Sequence, residues 1–507
     1  MNAAFPGLFL LLLTLPVAAS DEPPAPPPEA RVTVRELERA RLFEAVLPGE
    51  LFSHTEARRA DGTGGLLLLA GGNGEPLSWR ALVFLTLGDE GSLEVIASNL
   101  PAALDAVATV DLDGDGHGEV LLGEAGKIYS LGPLAAGMGG RKPILILEAP
   151  HLDLGRSRGY LDPDKPRMTV PEIGRLTVFA WRAGRMEPEA EYELPIRARR
   201  RRTGLRLSTP SITALRPEGS AAPLYAVGPE AYGSRRLLTL LINPAGEGTA
   251  DDQLIEAYSW LPAPENVRDR RYLLLDGRPA LVVTTTSAEK LGIFEKKKLR
   301  VFPLRADRTR VGGPASLKIV TNSHHWQDAD VVLADATGDG RDDLVIVGPA
   351  GLGEEKLMVE AYAGKGGGRF LVTPRKSVVE AESARWRYGS DVDRDAVPDL
   401  VARAGERLLI FSGLIDRKEK RLLVNEPRWS IRLPHESPDS GEQEKVVSIG
   451  VGSDGVSTSV EERELDQEIS YRGRPEIRDL DGDGREEIIV RGTYPGGAGF
   501  LVIVQLQ

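Results

Sequence analysis

Short apolar runs separated by turn residues recur along almost the whole chain. The runs ALVFLTL (81–87) and SLEVIAS (92–98) form one pair, and the residues between them are polar or Gly. Runs of this length that end at Gly, Pro, Asp or Asn are typical of β-strands. Further pairs occupy 128–149, 175–196, 236–260, 299–321, 357–375 and 407–434. The pattern predicts an all-β chain built from repeated strand pairs.

A second pattern is an acidic loop that leads directly into an apolar run. It begins at Asp111, Asp335, Asp391 and Asp479, as in DLDGDGHGEVLLG. Ca²⁺ takes about six to eight oxygen ligands, and acids at alternate positions of a tight turn can point toward one ion. We therefore expect about four structural Ca²⁺ ions. The candidate ligands stand at positions 1, 3, 5 and 9 of the loops: Asp111, Asp113, Asp115, Glu119, Asp335, Thr337, Asp339, Asp343, Asp391, Asp393, Asp395, Asp399, Asp479, Asp481, Asp483 and Glu487.

Two other kinds of structure share part of this loop pattern. An EF-hand also opens with D-x-D-x-DG, but it closes with Glu at position 12 and has a helix on each side. Position 12 is apolar in all four loops, so the sequence excludes the EF-hand: Leu122, Ile346, Ala402 and Val490. A solvated acidic turn without a metal stays open as the alternative, because Asp and Gly are common turn residues.

The acidic loops belong to a longer repeat. Its acid-Gly pairs, with one acid-Ala, start at residues 61, 115, 218, 276, 339, 395 and 483, so the intervals are 54, 103, 58, 63, 56 and 88 residues. The period is about 50–60 residues, the 103-residue interval is about twice that, and the 88-residue interval contains the charged segment 434–473. The 103-residue interval predicts an eighth unit near Asp162–Pro166. A period of this length with several short strands is typical of a β-propeller. We expect one propeller of seven or eight four-stranded blades, eight by repeat count, with residues near Val32–Val34 completing the last blade.

The loops resemble the FG-GAP or VCBS repeat, the calcium-loop blade of integrin α subunits and of many exported bacterial proteins. The D-x-D-x-DG-x-x-[DE] motif is complete in the first and last copies, and it is altered at Thr337 and Ala396 in the middle two. Tyr388-Gly389 is the nearest trace of the Phe-Gly half. The resemblance implies a propeller, usually of seven blades, with structural Ca²⁺ in its loops.

The first residues predict export. Leu8–Val17 is apolar but too short to span a bilayer, and small residues follow it, so we expect a signal peptide at 1–20. A Pro-rich linker at 21–31 and a propeller at 32–507 follow, and the charged segment 434–473 is expected to be a surface insertion. The extracellular space, the cell surface and the periplasm are all open as destinations. No later apolar run is long enough for a transmembrane helix, and the chain has no Cys.

The net charge of the chain and its sequence motifs limit the classes of function that it can have. The net charge of −12 argues against a nucleic acid as the main partner. The basic segment Arg197–Arg206 is a candidate contact for an anionic ligand. No catalytic motif is present, so no catalytic residue is assigned. We expect an exported calcium-binding propeller that binds a protein or glycan. The alternatives are a propeller enzyme acting on a polysaccharide or a phosphorylated substrate, and an architectural envelope protein.

Overall fold

A computed structural model gives the fold. It describes residues 31–507 apart from 73–78, 89–90, 136–140, 150–159, 163–166, 173, 195–198, 202–203, 207–211, 217–222, 233–235, 244–253, 261–264, 276, 288–296, 305–316, 322–328, 351–355, 367–368, 372, 382–384, 416–420, 435–443, 453–454, 464–468 and 495–496. The predicted signal peptide and nearly all of the linker lie outside the described residues, as do Glu218-Gly219 and Asp276. No helix in the described part is long and apolar enough to cross a membrane.

The first four blades are antiparallel sheets of four consecutive strands. Blade 1 contains β3 (Glu50–Arg58), β4 (Gly64–Gly72), β5 (Trp79–Thr86) and β6 (Ser92–Leu100). Blade 2 contains β7 (Ala106–Val110), β8 (Glu119–Glu124), β9 (Lys127–Pro133) and β10 (Ile144–Glu148). Blade 3 contains β11 (Tyr160–Leu161), β12 (Arg167–Glu172), β13 (Arg175–Arg182) and β14 (Arg185–Glu193). After the hairpin β15 (Arg199–Arg201) and β16 (Gly204–Arg206), blade 4 contains β17 (Ile212–Leu215), β18 (Leu224–Tyr232), β19 (Arg236–Ile242) and β20 (Leu254–Trp260).

The next three blades repeat this order with one interruption. Blade 5 contains β21 (Glu265–Leu275), β22 (Arg278–Ser287), β23 (Lys297–Pro303) and β24 (Leu317–Thr321). Blade 6 contains β25 (Asp330–Ala334), β26 (Asp343–Pro349), β27 (Lys356–Tyr362) and β30 (Arg375–Glu380), with the small hairpin β28 (Gly364–Gly366) and β29 (Arg369–Phe370) before its last strand. Blade 7 contains β31 (Arg385–Ser390), β32 (Asp399–Ala404), β33 (Arg407–Phe411) and β34 (Trp429–Arg432). The hairpin β35 (Glu444–Gly452) and β36 (Gly455–Arg463) follows inside the segment predicted as an insertion.

Blade 8 joins the two ends of the described chain. It contains β37 (Ser470–Arg478), β38 (Glu487–Thr493) and β39 (Gly499–Leu506), followed in the sheet by β2 (Ala40–Val46) and β1 (Arg31–Leu37). Phe43 of β2 is paired with Ile503 of β39, and Val34 of β1 is paired with Phe43. The N-terminal segment thus supplies a fourth strand and also a fifth.

Apolar side chains fill the spaces between neighbouring blades. In β4, Leu67 and Leu69 pack toward blade 2, whereas Leu66 and Leu68 pack toward blade 8. Successive side chains of a strand point to opposite faces, so a strand buried on both faces is apolar at every position. The continuous run LLLL in β4 follows from this geometry.

The predicted all-β propeller is confirmed, and the eight-blade count is correct. The eighth unit expected near Asp162 is blade 3. Two expectations about strands were wrong in detail. Ala40–Val46 rather than Val32–Val34 is the fourth strand of blade 8, and the strand that contains Val32–Val34 is the fifth. In blade 6, the segment RFLVTPR (369–375) was expected to be the outer strand, but it forms the short strand β29. The outer strand is β30, in which the buried residues Ser377 and Val379 alternate with exposed ones.

Candidate metal centre

All four predicted acidic loops occupy the same place in their blades. Each connects the first strand to the second, in blades 2, 6, 7 and 8. The structure therefore places the candidate ligands of each loop in one turn, and the four loops lie in equivalent positions of the propeller. This placement follows from the sequence pattern, because each loop ends where a buried apolar strand begins.

The residue at position 2 of every loop anchors the turn in the core. Leu112, Ala336, Val392 and Leu480 are each no more than 6% exposed. A buried apolar residue between two polar positions fixes which way the neighbouring carboxylates point, because adjacent side chains diverge. The sequence analysis missed this anchor, although the apolar residue after each first Asp was a visible signal.

The closing acid at position 9 is the buried member of every loop. Glu119, Asp343, Asp399 and Glu487 are all at most 6% exposed. Each accepts a hydrogen bond from a backbone N–H near the start of its own loop; Leu480 N, for example, donates to Glu487 Oε2 at 2.8 Å. The closing acid thus ties the second strand to the beginning of the turn.

The first acid of each loop organises the backbone of the turn. Asp111 accepts hydrogen bonds from Gly114 N at 2.7 Å and Gly116 N at 2.9 Å, and Asp479 accepts from Gly482 N and Gly484 N. These glycines have positive φ between 79° and 86°, a region where a Cβ is unfavourable. The turn therefore holds the acids together before any ligand is considered.

Three of the loops bring three carboxylates close together. The groups are Asp111, Asp113 and Asp115; Asp391, Asp393 and Asp399; and Asp479, Asp481 and Asp483, and within each group one carboxylate oxygen per residue lies within 4.8 Å of the others. Two oxygens bound to one Ca²⁺ at about 2.3–2.6 Å are at most about 5 Å apart. The spacing in each group fits a single divalent cation.

The blade 6 loop differs because Thr337 replaces an acid. Its Oγ1 is buried and has no hydrogen-bond partner in the described part of the chain, although the residue is only 5% exposed. Asp335 and Asp339 flank it, and Asp343 accepts a hydrogen bond from Thr337 N at 2.8 Å. A buried hydroxyl without a partner is costly, and its oxygen has lone pairs that a cation can coordinate. Its donor set carries one negative charge fewer than those of the other loops.

The blade 7 loop already contains a cation from the protein. Arg428 donates to Asp393 Oδ2 at 2.6 Å, and Ser412 Oγ donates to the same oxygen at 2.5 Å. The guanidinium of Arg428 also lies 4.6 Å from the ring centre of Trp429. The negative charge of Asp393 is therefore partly neutralised by Arg428. The sequence analysis missed this contact because Arg428 is 35 residues from Asp393.

Burial raises the pKa of the closing acids. For Asp399 and Glu487 the removal of the carboxyl group from water raises the pKa to about 7, and it also raises the pKa of Glu119 and Asp343. The backbone N–H groups of Gly413 and Leu480 donate hydrogen bonds to Asp399 and Glu487, and these bonds oppose the rise in pKa. A nearby cation favours the charged form of a carboxylate, so these acids suit a site that gains positive charge.

The blade 1 loop lacks this arrangement. Asp61 accepts a hydrogen bond from Thr63 N at 2.9 Å, which lowers the pKa of Asp61, and position 9 is Gly65. None of the three carboxylate groups includes a residue of this loop. It is an ordinary acidic turn among the described residues.

A separate ion-pair cluster joins the first strands of several blades. Asp330 of β25 pairs with Arg271 of β21 and with Arg474 of β37, the latter at 2.5 Å, and His54 of β3 lies 3.1 Å from Glu476 of β37. Asp330 is 5% exposed and has a guanidinium on each of its two oxygens. Because both oxygens of the Asp330 carboxylate are paired with guanidinium groups, this cluster has the character of a structural ion-pair network.

Comparison with known proteins does not assign the chain to a family. No model of a known protein family matches the chain, and no curated protein sequence matches it. Similar solved structures include the WD40 domain of SCAP from fission yeast, at 10% identity and a TM-score of 0.40 over 94% of this chain and 98% of that chain. Hsv2 from Kluyvelomyces marxianus matches at 10% identity and a TM-score of 0.36 over 76% of this chain and 99% of that one. The dihydro-heme d1 dehydrogenase NirN in complex with DHE matches at 11% identity and a TM-score of 0.36 over 90% and 79%. At these values the likeness carries no functional argument, and the propeller is established by the sheet order itself.

Proposed function

We propose that this protein is an exported propeller of the FG-GAP or VCBS type that binds a protein or glycan, with structural Ca²⁺ in its blade loops. The observation that carries the metal proposal is that equivalent loops of blades 2, 7 and 8 each bring three carboxylates together, at positions 1, 3 and 5 in blades 2 and 8 and at positions 1, 3 and 9 in blade 7. Export is inferred from the apolar segment Leu8–Val17, and the binding role from the many exposed loops that a closed propeller presents on a rigid frame.

The blade 2 and blade 8 loops are the strongest candidates. They hold four acids each and Gly at both left-handed positions. In the blade 8 loop the exposed Asp483 also pairs with its neighbour Arg485 at 3.3 Å, whereas no ion pair among the described residues involves an acid of the blade 2 loop. The blade 6 loop, with Thr337, has less charge for a cation, and the blade 7 loop shares Asp393 with Arg428. We expect the affinity for Ca²⁺ to be highest in blades 2 and 8.

Bound Ca²⁺ would stabilise the propeller by mass action. A ligand that binds only the folded state at about 100 times its dissociation constant contributes about 2.7 kcal/mol for each site. Two strong sites would therefore contribute about 5 kcal/mol. Each ion would also relieve repulsion among the clustered carboxylates, which in the blade 2 loop form no ion pair with any described residue.

The test is calcium titration of protein stripped with a chelator. Calorimetry and elemental analysis should report two strong sites and up to two weaker ones, and Ca²⁺ should raise the unfolding temperature. Asp111→Ala and Asp483→Ala should each remove one strong site and part of that rise. Asp61→Ala is the matched control and should leave both unchanged. Failure to take up Ca²⁺, or equal effects of all three variants, would contradict the proposal.

A further inference from the structure

Blades 7 and 8 differ in strand number, and this leaves a groove between them. Blade 8 has a fifth strand, β1, whereas blade 7 ends at β34. The face of β2 that carries Ala40 and Leu42 packs against Trp429 and Ile431 of blade 7, but the same face of β1 lies beyond β34. A cavity of about 1160 Å³ lies there, lined by residues of β1, β2 and β34. We name it the 7–8 groove.

The 7–8 groove is positively charged in an acidic protein. Its lining includes five Arg and two Glu, a net charge of +3, whereas the chain as a whole has a net charge of −12. The arginines are Arg31, Arg35, Arg39, Arg428 and Arg432. A cationic groove on an acidic protein attracts anionic partners and discriminates against most others.

Several of these charges are available to a partner. Glu44 is already occupied, because it accepts hydrogen bonds from Tyr494 at 2.6 Å and Arg35 at 2.9 Å. The side chains of Arg31 and Arg39 form no ion pair with any residue that the structure describes, and both residues are exposed. Guanidinium groups bind carboxylates through paired hydrogen bonds, so they suit a carboxylate-bearing ligand.

The groove also exposes the edge of a sheet. The strand β34 is paired with β33 on one side, from Trp429 opposite Ile410 to Arg432 opposite Arg407. On its other side no strand of the described chain is paired with it. Such an edge offers backbone N–H and C=O groups to an extended peptide, which can add to the sheet as a further strand.

These observations together identify the occupant. We propose that the 7–8 groove binds an extended acidic peptide of a partner protein, which adds to β34 as the fifth strand of blade 7. Alternate side chains of the added strand face β1, where Arg31 and Arg35 are four residues apart on one face, about 13 Å along the strand. A peptide with carboxylates at every second position places one near Arg31, which forms no described ion pair, and one near Arg35, which also donates to Glu44 at 2.9 Å. A polysaccharide has no main chain to pair with β34, so the sheet edge favours a peptide. This inference rests on the proposed binding role and specifies its partner.

The probe is a fluorescein-labelled ten-residue peptide of alternating Glu and Thr. Its binding is followed by fluorescence anisotropy at low ionic strength, and the protection of the Trp429–Arg432 amides is followed by hydrogen exchange. One control peptide has Gln in place of Glu. A second has N-methyl groups on alternate amides, which removes the main-chain hydrogen bonds and keeps the charge.

The protein variant is the double substitution Arg31→Gln and Arg39→Gln, which removes two exposed charges that have no described ion pair. The matched control is Arg182→Gln with Arg278→Gln, two exposed arginines of blades 3 and 5. We expect the groove variant and both control peptides to weaken binding by about tenfold or more, since each removes one or more charge-assisted or main-chain bonds. The control variant should bind as the unmodified protein does.

Four results would overturn the proposal. The first is equal binding of the Glu and Gln peptides, and the second is equal binding of the N-methyl peptide. The third is binding of dextran sulfate, sensitive to the groove variant, without peptide binding; this would assign the groove to a glycan. The fourth is that the peptide binds only when residues 435–468 are replaced by a short linker. That result would mean that this acidic segment of the chain itself occupies the groove. Calcium uptake measured on the same samples separates a failed groove from a failed metal proposal.

Discussion

The closure of the propeller by β2 is the feature most open to a direct test. Phe43 is fully buried, is paired with Ile503 of β39, and belongs to the apolar cluster shared by blades 8 and 1. Truncation to Ala removes the ring and leaves a cavity that the two sheets cannot readily fill. For Phe43→Ala we expect a loss of about 3–5 kcal/mol in the free energy of unfolding. Typical domains are stable by about 5–15 kcal/mol, so the ring would be at risk of opening at blade 8.

Urea titration followed by tryptophan fluorescence measures this loss, and hydrogen exchange locates it. Repeat proteins can open in parts, so the amides of β39 should lose protection before those of blades 4 and 5. The control is Val95→Ala in the outer strand of blade 1, because Val95 is 49% exposed and its truncation should cost less than about 0.5 kcal/mol. If Phe43→Ala is no more destabilising than Val95→Ala and the protection of β39 is unchanged, the reasoning about closure is refuted.

Three further predictions concern hydrogen bonds and turns. The Tyr494 hydroxyl donates a hydrogen bond to the buried Glu44 carboxylate at 2.6 Å. A double-mutant cycle of Tyr494→Phe and Glu44→Gln, measured by urea titration, should therefore give a coupling energy of about 1–3 kcal/mol. A coupling energy near zero would contradict this prediction. Ala396 has φ of +66° and the equivalent Gly484 has φ of +81°, a region that favours Gly. In protein treated with a chelator, Ala396→Gly should therefore raise the free energy of unfolding and Gly484→Ala should lower it, each by about 1 kcal/mol. Shifts of the same sign in the two variants would contradict this prediction. Arg428→Met frees a carboxylate of the blade 7 loop and should tighten its Ca²⁺ binding in calorimetric titration, whereas an unchanged binding curve would mean that the guanidinium does not compete.

The sequence was most informative where the physical requirement was local. A loop with acids at alternate positions and Gly at the left-handed positions has few conformations, so the placement of Asp111 to Glu119 between two strands could be predicted from the sequence. The spacing of these loops and of the strand pairs indicated eight units, whereas the resemblance to a family that usually has seven blades left seven open. Blade 3 was predicted as a unit even though its loop had lost the motif.

The local pattern of residues predicted the outer strands of the blades less reliably than it predicted the acidic loops. RFLVTPR and RKSVVE both have strand composition, and only the packing of Ser377 and Val379 against neighbouring strands selects the second as the edge of blade 6. The same is true of Ala40–Val46, whose partner β39 is more than 450 residues away in the chain. A strand can be recognised from its own residues, but its position in the sheet depends on its partners.

The sequence by itself determined the all-β class, the repeat and the positions of the acidic loops, because each depends on residues close together in the chain, and it narrowed the blade count to seven or eight. Only the tertiary structure decided that Arg428 binds Asp393, that the hydroxyl of Thr337 is buried without a partner, and that β1 overhangs blade 7 to leave a basic groove. Each of these depends on side chains brought together from distant segments by the closure of the ring. Periodicity along the chain contains no information about which residues of neighbouring blades meet.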